Sequence, residues 1–182
     1  MSTRPIRTDA VKIVLILIAA VVLAGALLVW RGGEAAPIRH RDLTSNRLQE
    51  LIGLFLQQGF DGATLSVQES DTGRFFQLRK EQTGDQVRLR SDFPYTSWSE
   101  PYYDQFRRSL ARFRVSVTET SGVADLDMKG NVSKTLTLDF GQDTVAVAQV
   151  IEHLFRDIYA VNLATDAELL MRGINPIKRR PH

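Results

Sequence analysis

The dominant hydrophobic pattern is an unbroken apolar run near the start of the chain. Val11 to Trp30 carries one charge, Lys12, after which about 18 residues are apolar. A helix of that length covers roughly 30 Å of hydrocarbon, and a lysine at its end can reach the lipid headgroups. We therefore predict a transmembrane anchor at residues 11–30, a basic tail at 1–10 and a linker at 31–41.

Two other interpretations of this run remain open. It could be a cleaved signal peptide, with Ala24-Gly25-Ala26 as the cleavage site. It could also be a buried core helix, although no face of the run is polar. We favour an uncleaved anchor, because Leu27 to Trp30 continue the apolar run beyond the cleavage site.

The spacing of apolar residues then predicts a helix followed by three short strands. Asp42 or Thr44 could cap the helix, and Gly59 stands where a left-handed residue would end it. Turns at Asp71–Gly73 and Thr83–Asp85 separate strands whose apolar and polar residues alternate, which predicts an antiparallel meander with one wet face. The inward positions of the helix and the strands are Leu48, Leu51, Ile52, Phe55, Leu56, Leu65, Val67, Phe76, Leu78, Val87 and Leu89.

The second half of the domain is predicted to contain two strands and two longer helices. One helix opens at Pro101 after Ser99 or Glu100, with Phe106, Leu110 and Phe113 inward. The predicted strands run from Phe113 to Glu119, with Val115 and Val117 inward, and from Val132 to Phe140, with a polar loop between them. The last long helix begins at Asp143 or Thr144, with an apolar stripe of Val147, Val150, Ile151, Leu154, Ile158 and Val161.

A short tail helix is predicted at Asp166 to Arg172. Thr165 and Glu168 have the spacing of a capping box, and Gly173 with Pro176 would stop the helix. Residues 42–182 therefore form one α+β domain of order α-β-β-β-α-β-β-α, an antiparallel sheet with helices packed on one face.

That order resembles the type III secretion chaperone-like fold, and within it the TY-Chap group of small bacterial domains, over about Leu43 to Val161. The likeness lies in Asp61-Gly62-Ala63-Thr64-Leu65, in the turn Asp71-Thr72-Gly73-Arg74 and in the pair Phe76-Gln77. The resemblance implies a non-enzymatic protein-binding or chaperone-like module that is often dimeric. The membrane anchor and the lack of an acidic balance depart from the secretion chaperones.

Charge and composition exclude several kinds of function. Removing Arg4, Arg7, Lys12 and Asp9 from the 23 basic and 21 acidic residues leaves twenty of each, so the formal charge of +2 belongs to the tail. A neutral domain argues against nucleic-acid binding. The chain has no cysteine, and His153, on the predicted polar side of the last helix, could form only an i, i+4 pair with Asp157. We predict no catalytic site, no metal and no cofactor.

The aromatic segment Asp92 to Tyr103 is the best candidate for a functional site. It concentrates five rings and two prolines in twelve residues. Aromatic rings beside arginines are typical of interface hot spots. We therefore predict a partner-binding patch of Tyr95, Trp98, Tyr103, Arg107 and Arg108. Arg107 and Arg108, with Arg112 and Arg114, form a basic cluster that is either a solvated face or a contact for anionic lipid or an acidic partner.

The sequence thus predicts a single-pass bacterial inner-membrane protein that binds an unidentified protein, and we favour the periplasmic side for its domain over the cytoplasmic side. Basic residues flank both ends of the anchor in similar numbers, so charge alone does not decide the orientation. The alternative is a structural protein that self-associates, as a homodimer or larger homo-oligomer. Ala20 and Ala24 give a small-xxx-small spacing in the anchor, and an open sheet edge could pair with a second copy.

Overall fold

The computed structural model describes residues 37–123 and 132–174. These residues form an α+β fold, as the sequence predicts, with a seven-stranded sheet whose neighbouring strands are all antiparallel. The strands are β1 (Ile38–His40), β2 (Gly59–Glu69), β3 (Phe75–Thr83), β4 (Gln86–Pro94), β5 (Ser116–Val123), β6 (Val132–Asp139) and β7 (Ala167–Ile174). The helices are α1 (Ser45–Gln58), α2 (Glu100–Ser109), α3 (Thr144–His153) and the single turn α4 (Leu163–Asp166).

The sheet order is β1-β7-β2-β3-β4-β6-β5, so the short β1 and the longer β5 are its edges. A 3₁₀ turn at Leu110–Arg112 extends α2, and a π turn at Leu154–Ile158 extends α3. Among the described residues no helix is long and apolar enough to cross a membrane, and the predicted anchor at residues 11–30 lies outside them.

Alternate residues of the strands form one core together with the apolar stripes of the helices. Leu65, Val67, Leu78 and Leu89 are fully buried, as the alternation predicts. The opposite positions are polar and wetter: the side chains of Arg88 and Arg90 on β4 are 53% and 38% exposed. Stripe residues of all three long helices are also buried, namely Leu48, Leu51, Ile52, Phe55, Phe106, Leu110, Val147, Val150, Ile151, Leu154, Ile158 and Val161.

The predicted tail helix is wrong, because most of Asp166 to Arg172 belongs to β7. Only one helical turn precedes this strand, capped by the Asn162 side chain, which accepts a hydrogen bond from the Ala164 N–H. Ala167, Leu169 and Met171 alternate into the core while β7 pairs with β1 and β2. Pairing on both sides outweighs the local capping signal. The Glu168 carboxylate accepts hydrogen bonds from Gln68 and Arg39 instead of capping a helix.

Gly59 is extended rather than left-handed, with φ −67° and ψ 141°, so the prediction of a left-handed end for α1 is also wrong. The glycine is required for a close approach instead. A Cβ at this position would lie 2.8 Å from the Phe55 carbonyl oxygen and 3.1 Å from the Ala63 Cβ. Thus α1 passes directly into β2 without an intervening turn.

Strand boundaries differ from the prediction at the two edges of the sheet. The predicted linker at 31–41 contains β1, whose Ile38 pairs with Met171. The fourth predicted strand, Phe113 to Glu119, is shifted to Ser116–Val123. Val117 was expected to point inward but is 40% exposed, because it lies on the edge strand β5. Edge position therefore leaves an apolar residue in water on the side of the sheet that carries the core.

Lys80 closes the carboxyl end of α1 from within the core. It is 5% exposed, and its ammonium donates to the carbonyl oxygens of Leu56, at 2.6 Å, and Gly59, at 2.7 Å. The last carbonyls of a helix lack partners within that helix, and positive charge there also favours the helix dipole. The lysine therefore takes the role that a left-handed glycine would have had.

Replacing Lys80 tests this cap. We expect Lys80→Met to lower the free energy of unfolding by about 2–3 kcal/mol, because two buried carbonyls lose a charged donor. The measurement is chemical denaturation. Arg79→Met is the matched control. The Arg79 side chain is 51% exposed and pairs with Glu81 at the surface, so its loss should cost less than about 1 kcal/mol. Equal effects of the two substitutions would contradict the assignment.

Candidate functional site

The aromatic segment lies where β4 leads into α2, and Ser99 fixes its shape. The Ser99 hydroxyl is fully buried, donates to the Pro94 carbonyl and accepts from the Thr96 N–H at 2.8 Å. Pro101 then enters the first turn of α2, where a missing N–H costs little. This closed loop determines where the tryptophan at its tip can lie.

Trp98 covers the end of the sheet rather than standing free in solvent. Its ring lies 5.1 Å from that of Phe75 and 5.5 Å, edge to face, from that of Phe93. Phe93 is 2% exposed, whereas Phe75 is 37% exposed. Trp98 thus joins a core ring to a surface ring. We use the name Trp98 surface for the three accessible rings at this place, Phe75, Tyr95 and Trp98.

Tyr95 is partly exposed and lies at the polar rim of this surface. Its hydroxyl donates to Glu100 at 2.9 Å, an interaction that raises the pKa of the Tyr95 phenol. The Lys134 ammonium lies 5.8 Å from the centre of its ring. Tyr95 therefore combines an accessible ring with polar neighbours, as at the edge of an interface.

Tyr103 was predicted as part of the partner-binding patch, but it is 1% exposed and belongs to the core. Its ring packs against Tyr95 and Phe93, and its hydroxyl donates to Glu119 at 3.3 Å. Burial and the Glu119 carboxylate raise the pKa of Tyr103 to about 12. This residue can support the neighbouring rings, but it cannot touch a partner while the domain keeps this structure.

The two predicted arginines have different surroundings. Arg107 is 47% exposed and pairs with Asp104 at 3.8 Å and with Glu119, on β5, at 3.6 Å. Arg108 is also exposed, but it lines a groove together with His153 and Asp157. The sequence placed both arginines in one patch, whereas their contacts divide them between β5 and the last long helix.

Arg74 belongs to the turn after β2, and it connects the segments that carry the Trp98 surface. Its guanidinium forms two hydrogen bonds with Glu69, at 2.7 and 2.8 Å. It also donates to the Tyr102 hydroxyl at 3.2 Å and to the Tyr159 carbonyl at 2.9 Å. The hydrogen bonds from Arg74 hold the pKa of Glu69 below its usual range. Arg74 thereby ties the β2–β3 turn to the start of α2 and to the end of the last helical segment.

Phe75 belongs to the Trp98 surface, although the sequence did not single it out. It follows Arg74 and takes an outward position on β3, where the alternation calls for a polar side chain. A large aromatic residue at an outward strand position was the available signal. Its significance depends on Trp98, which reaches it from 23 residues further along the chain.

His153 is less exposed than predicted, although its predicted pair with Asp157 is confirmed. Nδ1 lies 2.7 Å from the Asp157 carboxylate, and the imidazole ring lies 5.4 Å from that of Phe113. The side chain is only 12% exposed. The prediction of a solvated helix face is therefore wrong for the ring, which α2 and the segment after it cover.

In residues 37–123 and 132–174, no three His, Asp or Glu side chains come together in a way that could hold a metal ion. Comparison with known proteins adds no functional assignment. No protein-family model, curated protein or solved structure matches this chain. The candidate site consequently depends on the geometry of its own residues.

Alkaline pH tests the burial of Tyr103. Its pKa is about 12 in the folded chain and about 10 in an unfolded one, so the unfolded state releases this proton first. The free energy of unfolding should therefore fall as pH rises from about 10 toward 12. Tyr103→Phe should reduce that fall in chemical denaturation, and Tyr95→Phe, with its accessible ring, should change it less. An unchanged slope in Tyr103→Phe would contradict the burial.

Proposed function

We propose that this chain is a membrane-anchored, non-catalytic module that binds another protein through the Trp98 surface. The single observation that carries this proposal is the pairing of Phe75, 37% exposed, with Trp98 at 5.1 Å. Two adjacent large rings at a surface leave apolar area in water, at a cost of about 25 cal/mol for each Å². A partner that covers them recovers this free energy.

The surroundings of the Trp98 surface suit a protein partner. Rigid aromatic anchors backed by packed residues are typical of hot spots, and Trp98 is backed by Phe93. Charged groups lie beside Tyr95 at the rim, namely the Glu100 carboxylate and the Lys134 ammonium. Both signs of charge are present, so the rim would give orientation and specificity to an otherwise apolar contact.

The membrane location and the chaperone-like character belong to the same proposal. Residues 11–30 would anchor the chain in a bacterial inner membrane, with the domain on the periplasmic side. The likeness of the turn and strand sequences to the TY-Chap group supports a protein-binding role. The partner is then a protein within reach of a membrane tether, as in an assembly of the cell envelope.

Photocrosslinking from one exposed residue tests this contact, and a second exposed residue provides the control. A photoreactive amino acid at Phe75 should give a discrete crosslinked product with a protein partner in cells, which Trp98→Ala should abolish. The same probe at Val145, which is 45% exposed on α3, should give no such product.

Phe75→Ser separates binding from folding. Phe75 is more exposed than the buried rings around it, so we expect this substitution to remove the contact while the thermal midpoint changes little. Val145→Ser is the matched control and should keep both. Partner binding that survives Phe75→Ser in a folded protein would overturn the proposal, as would equal crosslinking from both probe positions.

Self-association is the second candidate function, and the open edge of the sheet favours it. Within the described part of the chain β5 pairs with β6 alone, and its Val117 is 40% exposed. An edge strand offers unpaired backbone groups to another strand, and a lysine on the edge blocks such pairing. If the chain forms homo-oligomers this way, its mass in detergent should rise with concentration, and Val117→Lys should prevent the rise whereas Val145→Lys should not. A constant monomer mass would exclude it.

A further inference from the structure

A groove separate from the Trp98 surface lies between α2 and the last helical segment. It has a volume of about 400 Å³ and is lined by Gln105, Arg108, Ser109, Arg112, His153 and Asp157. We call it the α2–α3 groove. Its volume is sufficient for a phosphate group and part of the molecule that carries it.

Two arginines of this groove have no charged partner in residues 37–123 and 132–174. Among the residues that the structure describes, neither Arg108 nor Arg112 forms an ion pair or a side-chain hydrogen bond. The carboxylate that lines the groove is already occupied: Asp157 lies 2.7 Å from both Arg156 and His153. Arg156 and His153 hold the pKa of Asp157 well below its usual range, so it stays ionised and engaged with them.

The two arginines of the groove also repel each other. Arg108 and Arg112 are four residues apart, at the end of α2 and in the turn that continues it. Both side chains line the same groove, so their like charges repel each other. Arg107 differs, because Asp104 and Glu119 offset its charge. The repulsion between Arg108 and Arg112 is relieved when an anion lies between their guanidinium groups.

We propose that the α2–α3 groove binds a phosphate group through Arg108 and Arg112. A phosphate has three acceptor oxygens and close to two negative charges, which match two guanidinium forks. Gln105 adds an amide donor on the same side of α2. The phosphate belongs either to a soluble phosphate compound or to a lipid headgroup. This binding does not depend on the protein-binding proposal, because it uses neither Phe75 nor Trp98.

The test is calorimetric titration of the full-length chain in a zwitterionic detergent, with inorganic pyrophosphate as the probe. We expect saturable binding. The single variants Arg108→Gln and Arg112→Gln should each weaken it about tenfold, since each loses a charge-assisted contact. Arg107→Gln removes the same charge from the same helix outside the groove and should leave the affinity unchanged. Asp157→Asn should bind at least as tightly as the unaltered chain.

A second titration, with a short-chain phosphatidylglycerol, identifies the source of the phosphate. Tighter binding of this lipid, lost in the Arg108 and Arg112 variants, assigns the groove to a headgroup, whereas tighter binding of pyrophosphate assigns it to a soluble compound. The proposal is overturned if neither probe binds. It is also overturned if Arg107→Gln weakens binding as much as Arg108→Gln, because the attraction would then be general to the basic surface.

Discussion

The ion pair between Arg74 and Glu69 is the interaction on which the candidate surface depends. The two side chains are 19% and 10% exposed, so the pair is largely withdrawn from water. Such a pair is costly to break, because one charge would remain buried without its partner. The remaining donors of Arg74 contact Tyr102 and the Tyr159 carbonyl, so three distant segments meet at one guanidinium.

The position of this pair explains how a polar interaction can shape an apolar surface. Phe75 follows Arg74 in the chain, and Trp98 precedes Tyr102 by four residues. The strand that presents Phe75 and the helix start that presents Trp98 are therefore held together by the same side chain. Ser99 fixes the loop between them through its contact with the Pro94 carbonyl. Packing, hydrogen bonding and charge all limit where the Trp98 ring can lie.

The local sequence pattern predicted buried strand positions and the turn between the first two long strands. Alternation placed Leu65 and Leu78 in the core, and the turn at Asp71–Gly73 was found from its residue types alone. The strand β7 was missed because its capping signal predicts a helix, whereas pairing with strands on both sides selects the extended conformation. The Phe75 contact was missed for the same reason: only the folded chain brings Trp98 to it.

Fluorescence of Trp98 is the most direct test of the claim that Arg74 holds this surface in place. The chain has two tryptophans, so Trp30→Phe leaves Trp98 as the sole reporter. In that background, Arg74→Gln should increase the quenching of Trp98 by acrylamide while circular dichroism still reports the helices and the sheet. Unchanged quenching in a folded Arg74→Gln protein would show that the aromatic rings hold themselves in place, and it would contradict the account.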